Sequence, residues 1–302
     1  MAVSGGADSV FLLRECVRYA SKLDFRIVVA HIDHGLRGKA SQQDALFVKK
    51  LAQKYDLPFE LLCIDVKKIK GNIEEIGRNA RYQFLEKIRL RYKADWIVTA
   101  HHQDDNIETV LFNFIRGASY QGLKGMNLID QKRHLLRPLL EISKKEILRI
   151  LKKRRQNFRI DQSNKDLHYS RNLLRHNVIP LFEKINSGFK KTFLENLKNF
   201  NEIAEFLDEK TNQWLKKNYR KDAFPLKKFL GKPVFFQKNI LATLYRNTYG
   251  STARLNQQHL NSLLHLFQQK KSNRKKEFGP KYFLEIIREE EKNERFVRLK
   301  NA

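Results

Sequence analysis

The sequence predicts an α/β fold in which a parallel sheet with helices on both faces is followed by a smaller, mainly helical C-terminal domain. Over residues 1–185, short apolar runs rich in β-branched residues alternate with longer segments of helical spacing. This alternation is typical of a parallel sheet whose strands are joined by helices. From about Glu141 the strand signals fade, and residues 186–302 are more basic and more helical.

The elements of the first domain follow in chain order. Ala2 and Val3 form the stub of a first strand, and further strands are predicted at residues 25–30, 58–66 and 96–100. Helices are predicted at residues 10–23, 42–55, 72–92 and 104–116. Because ligands bind beyond the carboxyl ends of parallel strands, we expect the functional site at that edge of the sheet.

Helical spacing continues through the rest of the chain. Ser143-x-x-Glu146 predicts a capping box that opens a helix at Lys144. Further helical segments are predicted at 192–217, 234–249 and 256–269, whereas residues 280–300 alternate less clearly and are compatible with strands. We place the boundary at Asn186-Ser187-Gly188, which predicts domains at 1–187 and 188–302.

The charge of the chain points to a polyanionic partner. The 302 residues include 60 Lys and Arg against 33 Asp and Glu, a net charge of +27. Such a field attracts nucleic acid, although a solvated, lysine-rich surface is the alternative. No apolar run is long enough for a membrane span, and the N-terminus does not resemble a signal peptide. Two cysteines make no disulfide scaffold, so we expect a cytoplasmic protein with no membrane partner.

The segment Ser4-Gly5-Gly6-Ala7-Asp8-Ser9 lies between the strand stub and the first helix. Paired glycines let backbone N–H groups approach a phosphate, and the helix N-terminus adds a positive end. The serines supply hydroxyl donors, and Asp8 is a candidate ligand of Mg²⁺. Neither the Walker A pattern nor G-x-G-x-x-G is present. The alternative is an ordinary turn from a strand into a helix.

This segment resembles the pyrophosphate loop of the ATP pyrophosphatases, the PP-loop superfamily. Members cleave ATP between the α- and β-phosphates and adenylate an oxygen of their substrate. The resemblance implies a Rossmann-like sheet of the adenine nucleotide alpha hydrolase type. It also implies that ATP binds at Ser4, Gly5, Gly6, Ala7, Asp8 and Ser9, with Mg²⁺ at Asp8 and with His101 nearby.

Further motifs narrow the resemblance. In chain order they are HIDHGLR at 31–37, HHQDDNIET at 101–109, RGA at 116–118, GLxGM at 122–126, RPLL at 137–140 and SRNxxRHxVIP at 170–180. As a set they are similar to the tRNA(Ile)-lysidine synthetases over about residues 1–181. The C-terminal third matches only in being basic and helical.

The resemblance implies a two-step reaction. The C2 oxygen of cytidine 34, in an isoleucine tRNA with a CAU anticodon, attacks the α-phosphate of ATP and pyrophosphate leaves. The ε-amino group of free lysine then displaces AMP and gives lysidine. The implied partners are this tRNA, ATP and L-lysine. The oligomeric state stays open, with a homodimer among the alternatives.

The resemblance also implies roles for individual residues. Asp8, Arg81 and Asp105 are the expected catalytic residues, since cations must meet the reacting phosphate and acids must hold the lysine. Arg78 lies one turn before Arg81, so the assignment between these two arginines is open. Asp104 is expected to cap its helix. Substrate or tRNA contacts are expected at Asp33, Arg78, Glu108, Arg171, Arg175 and Lys275.

Three other functions are weighed against this one. A tRNA thiolase needs paired catalytic cysteines, but Cys16 falls in a predicted helix and Cys63 in a buried strand, where small core residues are common. A tRNA-binding protein without chemistry would not need the intact loop together with Asp105 and Arg81. An amide synthetase for a small metabolite would not need the positive field. A zinc site at His31, His34, His101 and His102 is disfavoured because no cysteine stands nearby.

Overall fold

The computed structural model describes most of the chain. The described residues are 1–33, 39–64, 73–159, 170–250, 255–269, 274–289 and 294–301. They form two compact units. The first unit contains Met1–Asn113 and Gly125–Leu194, and the second contains Phe114–Lys124 and Glu195–Ala302. The division thus falls after Leu194, later than the sequence-based boundary, and residues 114–124 join the second unit.

The sheet of the first unit is built from short strands. They are β1 (Val29–Asp33), β2 (Phe59–Cys63), β3 (Ile97–Val98), β4 (Ile129–Asp130) and β5 (Leu135–Leu136). β1 pairs with β2, and β3 with β5, in parallel, whereas β4 lies antiparallel beside β5. The predicted parallel sheet is confirmed, with one antiparallel strand added at its edge.

The N-terminal stub lies in the middle of this sheet. The Ala2 N–H donates to the Val98 carbonyl at 2.9 Å, and the Val3 N–H donates to the Ala30 carbonyl at 2.9 Å. Residues 1–3 therefore join β1 to β3. The loop that follows the stub then opens at the carboxyl edge of the sheet, where a ligand is expected.

Helices pack on both faces of the sheet. The first unit contains α1 (Ala7–Leu23), α2 (Lys39–Lys54), α3 (Ile73–Arg91), α4 (Gln103–Ile115), α6 (Lys144–Lys153), α7 (Ser170–Leu173) and α8 (Ile179–Ile185). Val29 packs in a core cluster with Val10 of α1 and Val48 of α2. Its neighbour Ala30 packs with Leu85 of α3 instead. Consecutive strand residues point to opposite faces, so both faces are covered.

Helix α1 is buried on two sides, which fixes the loop before it. Leu13 packs in the cluster shared with β1 and α2. Phe11 and Leu12 pack against Ile147 of α6. The predicted start of α6 at Lys144 is confirmed, with Ser143 as its N-cap, because the Ser143 side chain accepts a hydrogen bond from the Glu146 N–H at 3.2 Å.

The second unit combines helices with an antiparallel sheet. Its helices are α5 (Tyr120–Leu123), most of α9 (Phe189–Asn218), α10 (Leu226–Leu230), α11 (Val234–Tyr249) and α12 (Gln257–Gln268). Its strands β6 (Ala223–Pro225), β7 (Lys275–Glu277), β8 (Tyr282–Glu289) and β9 (Glu294–Asn301) lie in the order β6-β9-β8-β7. The sequence left the structure of residues 280–300 open, and β8 and β9 lie in this region. Within the described ranges, no helix has the length and apolar content needed to cross a bilayer.

Candidate active site

The loop before α1 is held in shape by its own hydroxyls. The Gly5 N–H donates to Ser9 Oγ at 3.2 Å, and the Gly6 N–H donates to Ser4 Oγ at 3.3 Å. Ser9 is buried and donates to the Gly6 carbonyl at 3.0 Å. The hydroxyl of Ser9 therefore shapes the loop. Gly6 is the N-cap of α1 and brings no side-chain cap, which suits an anion at this helix end.

Gly5 is required by the path of the backbone. Its φ is +89°, in the left-handed region that favours glycine. A Cβ at this position would lie 3.2 Å from Val48 Cγ2 and 3.4 Å from Phe47 Cδ1. Both the backbone angle and the packing of α2 therefore exclude a larger residue at Gly5 without a shift of the loop.

Asp8 lies in the first turn of α1 and is paired with a lysine. Lys144 Nζ is 2.6 Å from one carboxylate oxygen of Asp8 and 2.7 Å from the other. Lys144 is the first residue of α6. On the other side, Asp8 Oδ2 lies 3.7 Å from His102 Nε2. The Asp8 carboxylate thus belongs to a larger polar cluster.

That cluster continues into the first turn of α4. The His102 side chain is only 4% exposed. The same Nε2 atom that faces Asp8 lies 3.5 Å from Asp105 Oδ2. The backbone N–H of His102 donates to Asp105 Oδ2 at 3.0 Å. Because His102 precedes α4, Asp105 is the acid that caps this helix. The expectation that Asp104 caps it was wrong.

Asp104 instead caps a different helix. Its Oδ2 accepts from the Lys144 N–H, the first of α6, at 2.8 Å. Its Oδ1 pairs with Lys190 Nζ at 2.9 Å. Burial raises the pKa of Asp104, but the hydrogen bonds from Lys144 and Lys190 outweigh it and hold that pKa below its usual range. Asp104 is therefore an ionised anchor between α4 and α6.

Glu108 and Arg175 form a bidentate ion pair at the site. Arg175 Nε lies 2.6 Å from Glu108 Oε1, and Nη2 lies 2.9 Å from Oε2. Nη2 also lies 3.1 Å from Asp105 Oδ1. Glu108 is 3% exposed, and this burial raises its pKa against the opposing effect of Arg175.

Arg175 lies in the π-helical turn Leu174–Val178, between α7 and α8. Arg171 and Asn172 lie just before it, in α7. Arg175 turns toward the acids of α4, whereas the Arg171 guanidinium carbon lies 5.9 Å from the centre of the Phe112 ring. The two arginines therefore meet different surroundings.

His101 is a neutral imidazole at physiological pH. Its Nδ1 lies 2.9 Å from Thr99 Oγ1. Burial lowers the pKa of His101 to about 4, and the nearby arginines 81, 137 and 171 add to this against the opposing effect of Asp105. An uncharged ring that lies among cations can orient a substrate by hydrogen bonding without carrying charge of its own.

The remaining predicted residues lie in several places. Asp33 is buried at the end of β1. Arg81 is exposed on α3 and lies close enough to His101 to lower the pKa of that histidine. Arg78 lies one turn earlier, and its guanidinium carbon is 5.9 Å from the centre of the Tyr82 ring. Lys275 is exposed on β7 of the second unit. His34, one of the four histidines weighed above as a zinc site, lies outside the described residues.

Sequence reasoning missed two cations of the site, Lys144 and Lys190. Lys144 lies 136 positions after Asp8, and no local pattern indicates that they meet. The capping box did predict that α6 begins at Lys144, but not what lies beside it. Cys63 was also misjudged, because its thiol is exposed at the end of β2 and does not lie in the core.

The site fits a magnesium ion that arrives with a phosphate ligand. Among the described residues, no group of three or more histidine, cysteine and acidic side chains is arranged to hold a metal. Mg²⁺ commonly binds one or two carboxylates and takes its other ligands from substrate phosphates and water. Asp8, beside the open N-terminus of α1, is the acid placed to supply one such carboxylate, and both of its oxygens are paired with Lys144 in this structure.

The fold and the loop together define a nucleotide-binding α/β protein with a pyrophosphate loop. A family model described as the PP-loop domain matches residues 1–182, and the chain belongs to this family. Similar proteins named tRNA(Ile)-lysidine synthase include one from Bacteroides thetaiotaomicron, 37% identical over 68% of this chain and 47% of its own. One from Thermosipho africanus is 37% identical over 70% of this chain and 50% of its own.

A third relative with the same name, from Caldanaerobacter subterraneus subsp. tengcongensis, is 30% identical over 91% of this chain and 60% of its own. The chain thus spans about half the length of the curated relatives it matches. Among solved structures, the U34-tRNA thiolase NcsA from Methanococcus maripaludis matches with a TM-score of 0.55 and 18% identity. This match covers 67% of this chain and 70% of the thiolase, and it shows the fold alone.

Proposed function

We propose that the protein joins lysine to C2 of cytidine 34 in the CAU anticodon of tRNA(Ile), with ATP converted to AMP and pyrophosphate through an adenylated cytidine. One observation carries this proposal. The loop acid Asp8 and the α4 acid Asp105 approach the same nitrogen of His102, at 3.7 and 3.5 Å. A phosphate-binding loop and an acidic, cation-binding site are thus adjacent, and the names of the relatives supply the substrate.

In the first step, the protein would stabilise charge on the phosphates of ATP. The open N-terminus of α1 would hold the pyrophosphate, with Ser4, Gly5, Gly6, Ala7 and Ser9 shaping the loop. Asp8 would hold Mg²⁺ together with the phosphates, and the ion would screen charge on the leaving group. Arg81, near His101, is the candidate cation for the reacting α-phosphate.

In the second step, the acids of α4 would hold lysine. Asp105 and Glu108 lie at the carboxyl edge of the sheet, where their oxygens accept from the Arg175 guanidinium, and they would accept from an ammonium group in the same way. The ε-amino group must lose a proton before it attacks. Burial raises the pKa of Glu108, which makes it a better proton acceptor than an ordinary carboxylate.

Binding of the tRNA would draw on the net charge of +27. We assign the basic second unit, including exposed Lys275, to contacts with the tRNA backbone. Arg171, Asp33 and Arg78 are candidate contacts to the substrate or the tRNA in the first unit. Lys275 and Arg171 lie in different units, so single variants at each position measure their contributions to tRNA affinity separately.

The test is ATP turnover followed together with transfer of labelled lysine to an unmodified tRNA(Ile) transcript. We expect AMP and pyrophosphate to appear only when the transcript is present, and lysine to be incorporated in equal amount to AMP. A transcript with cytidine 34 replaced by uridine is the matched control and should support neither. Cleavage of ATP without incorporation of lysine would contradict the proposal.

A further inference from the structure

The Arg175 guanidinium is paired with Asp105 and Glu108, the two acids to which we assign lysine binding. Its guanidinium binds both oxygens of Glu108, at 2.6 and 2.9 Å, and one oxygen of Asp105, at 3.1 Å. The other Asp105 oxygen accepts the His102 backbone N–H at 3.0 Å. All four carboxylate oxygens are thus engaged. Glu108 is 3% exposed, so a second cation cannot reach it while Arg175 stays in place.

We propose that Arg175 is an internal substitute for the ammonium group of lysine and that lysine binds to these acids only after Arg175 leaves them. This inference rests on the proposed function. A guanidinium and an ammonium group are both cations that only donate hydrogen bonds. They compete for the same acceptors, and the paired donors of the guanidinium make it the stronger competitor in a bidentate contact.

The neighbouring acids have cationic partners of their own. Asp8 pairs with Lys144 and Asp104 pairs with Lys190, both at less than 3 Å. Arg175 is therefore matched to Asp105 and Glu108. Its position in a π-helical turn is consistent with a functional residue, since such turns are frequent at functional sites.

Two consequences follow. The apparent affinity for lysine is reduced by the fraction of molecules in which Arg175 covers the acids. An anionic substrate that attracts the released guanidinium raises the affinity for lysine. Binding of that substrate and binding of lysine both favour the arrangement in which Arg175 has left Asp105 and Glu108. Lysine should then bind more tightly after ATP and tRNA than before them.

The direct test compares lysine binding by calorimetry, without ATP or tRNA, in the wild-type protein and in Arg175→Gln. We expect the variant to bind lysine with a dissociation constant at least about tenfold lower. Arg149→Gln is the matched control, because it makes the same substitution at an exposed arginine of α6 that pairs with Glu146 instead, and its affinity for lysine should equal that of the wild type. Equal or weaker binding by a folded Arg175→Gln variant would overturn the inference.

A second measurement guards against a folding defect, since Arg175→Gln leaves the buried Glu108 without its partner. Arg175→Lys keeps the positive charge but loses the paired donors of the guanidinium. Its affinity for lysine should therefore lie between that of the wild type and that of Arg175→Gln. Methylguanidinium added to Arg175→Gln should weaken lysine binding competitively, toward the wild-type value. A purely structural arginine would show no such competition, and its absence would overturn the inference.

These outcomes separate the inference from the proposed function. If the wild-type protein transfers lysine to the transcript but Arg175→Gln does not bind lysine more tightly, the inference alone fails. If neither protein binds lysine and no transfer occurs, the proposed function fails and the inference fails with it.

Discussion

Lys144 Nζ bridges both carboxylate oxygens of Asp8, at 2.6 and 2.7 Å, and so joins the first turn of α1 to the first residue of α6. The backbone N–H of the same lysine binds Asp104 at 2.8 Å, which brings in α4. Three helix N-termini therefore meet at one lysine. Each of these helices supplies an acid or a cation to the site that we propose for ATP and lysine.

The acid Asp105 gives the first prediction. Asp105→Asn should lower the rate of lysine transfer at least about 100-fold, because the carboxylate that faces the lysine cation becomes neutral. The asparagine carbonyl can still accept the His102 N–H, so unfolding stability should change by about 1 kcal/mol or less. Transfer of labelled lysine and thermal unfolding measure the two effects. The control is Glu141→Gln, which removes an exposed acid outside the cluster and should leave lysine transfer unchanged. If lysine transfer is also unchanged in Asp105→Asn, Asp105 has no part in the mechanism.

The backbone at Gly5 gives the second prediction. Gly5→Ala should raise the KM for ATP at least about tenfold, because the new Cβ would crowd Val48 and the loop must shift. Gly117→Ala is the matched control, since Gly117 has a φ of +69° and open space around it. Both variants should lose about 1–2 kcal/mol of stability from the strained φ. ATP kinetics that are equal in the two variants would contradict the role of the loop.

Charge on the second unit gives the third prediction. Lys275→Ala should weaken tRNA binding, lower the slope of log K against log salt by about 1, and leave the affinity for ATP unchanged. Lys22→Ala is a suitable control, because Lys22 is also exposed and also lies over an aromatic ring, that of Tyr19. Titrations of tRNA at several salt concentrations measure the slope. A change in ATP affinity alone would contradict a backbone contact at Lys275.

The buried imidazole of His101 gives the fourth prediction. Its pKa falls from 6.5 to about 4 on folding, so between these values the unfolded chain binds more protons than the folded one. Stability should therefore be full above pH 6.5 and decline as the pH falls to about 4, by roughly 3 kcal/mol from this group. The free energy of unfolding, measured with denaturant at several pH values in this range, should change less steeply with pH in His101→Asn than in the wild type. Equal slopes would show that His101 does not cause the decline.

Local patterns predicted the long elements of this fold well. Helix α12, for example, buries Leu260, Leu263, Leu264 and Phe267 on one face, and that periodicity is visible in the sequence. The strands β4 and β5 were not predicted, because two residues are too few to form a pattern. Their pairing depends on residues distant in the sequence.

The site was predictable where it depends on a local turn. Residues 4–9 and Asp105 stand at the ends of predicted strands, so their position followed from the order of elements. The structural role of Asp104 did not, since its partners are Lys144 and Lys190, far along the chain. The pairing of Arg175 with Glu108 was missed for the same reason.

The most direct test of the account is the identity of the nucleoside at position 34 after reaction. The transcript would be incubated with the protein, Mg-ATP and isotopically labelled lysine, digested to nucleosides and analysed by mass spectrometry. The proposed function predicts that labelled lysidine replaces cytidine 34 and no other cytidine. An unchanged cytidine 34 in a reaction that has consumed ATP, or a sulfur-containing nucleoside in its place, would contradict it.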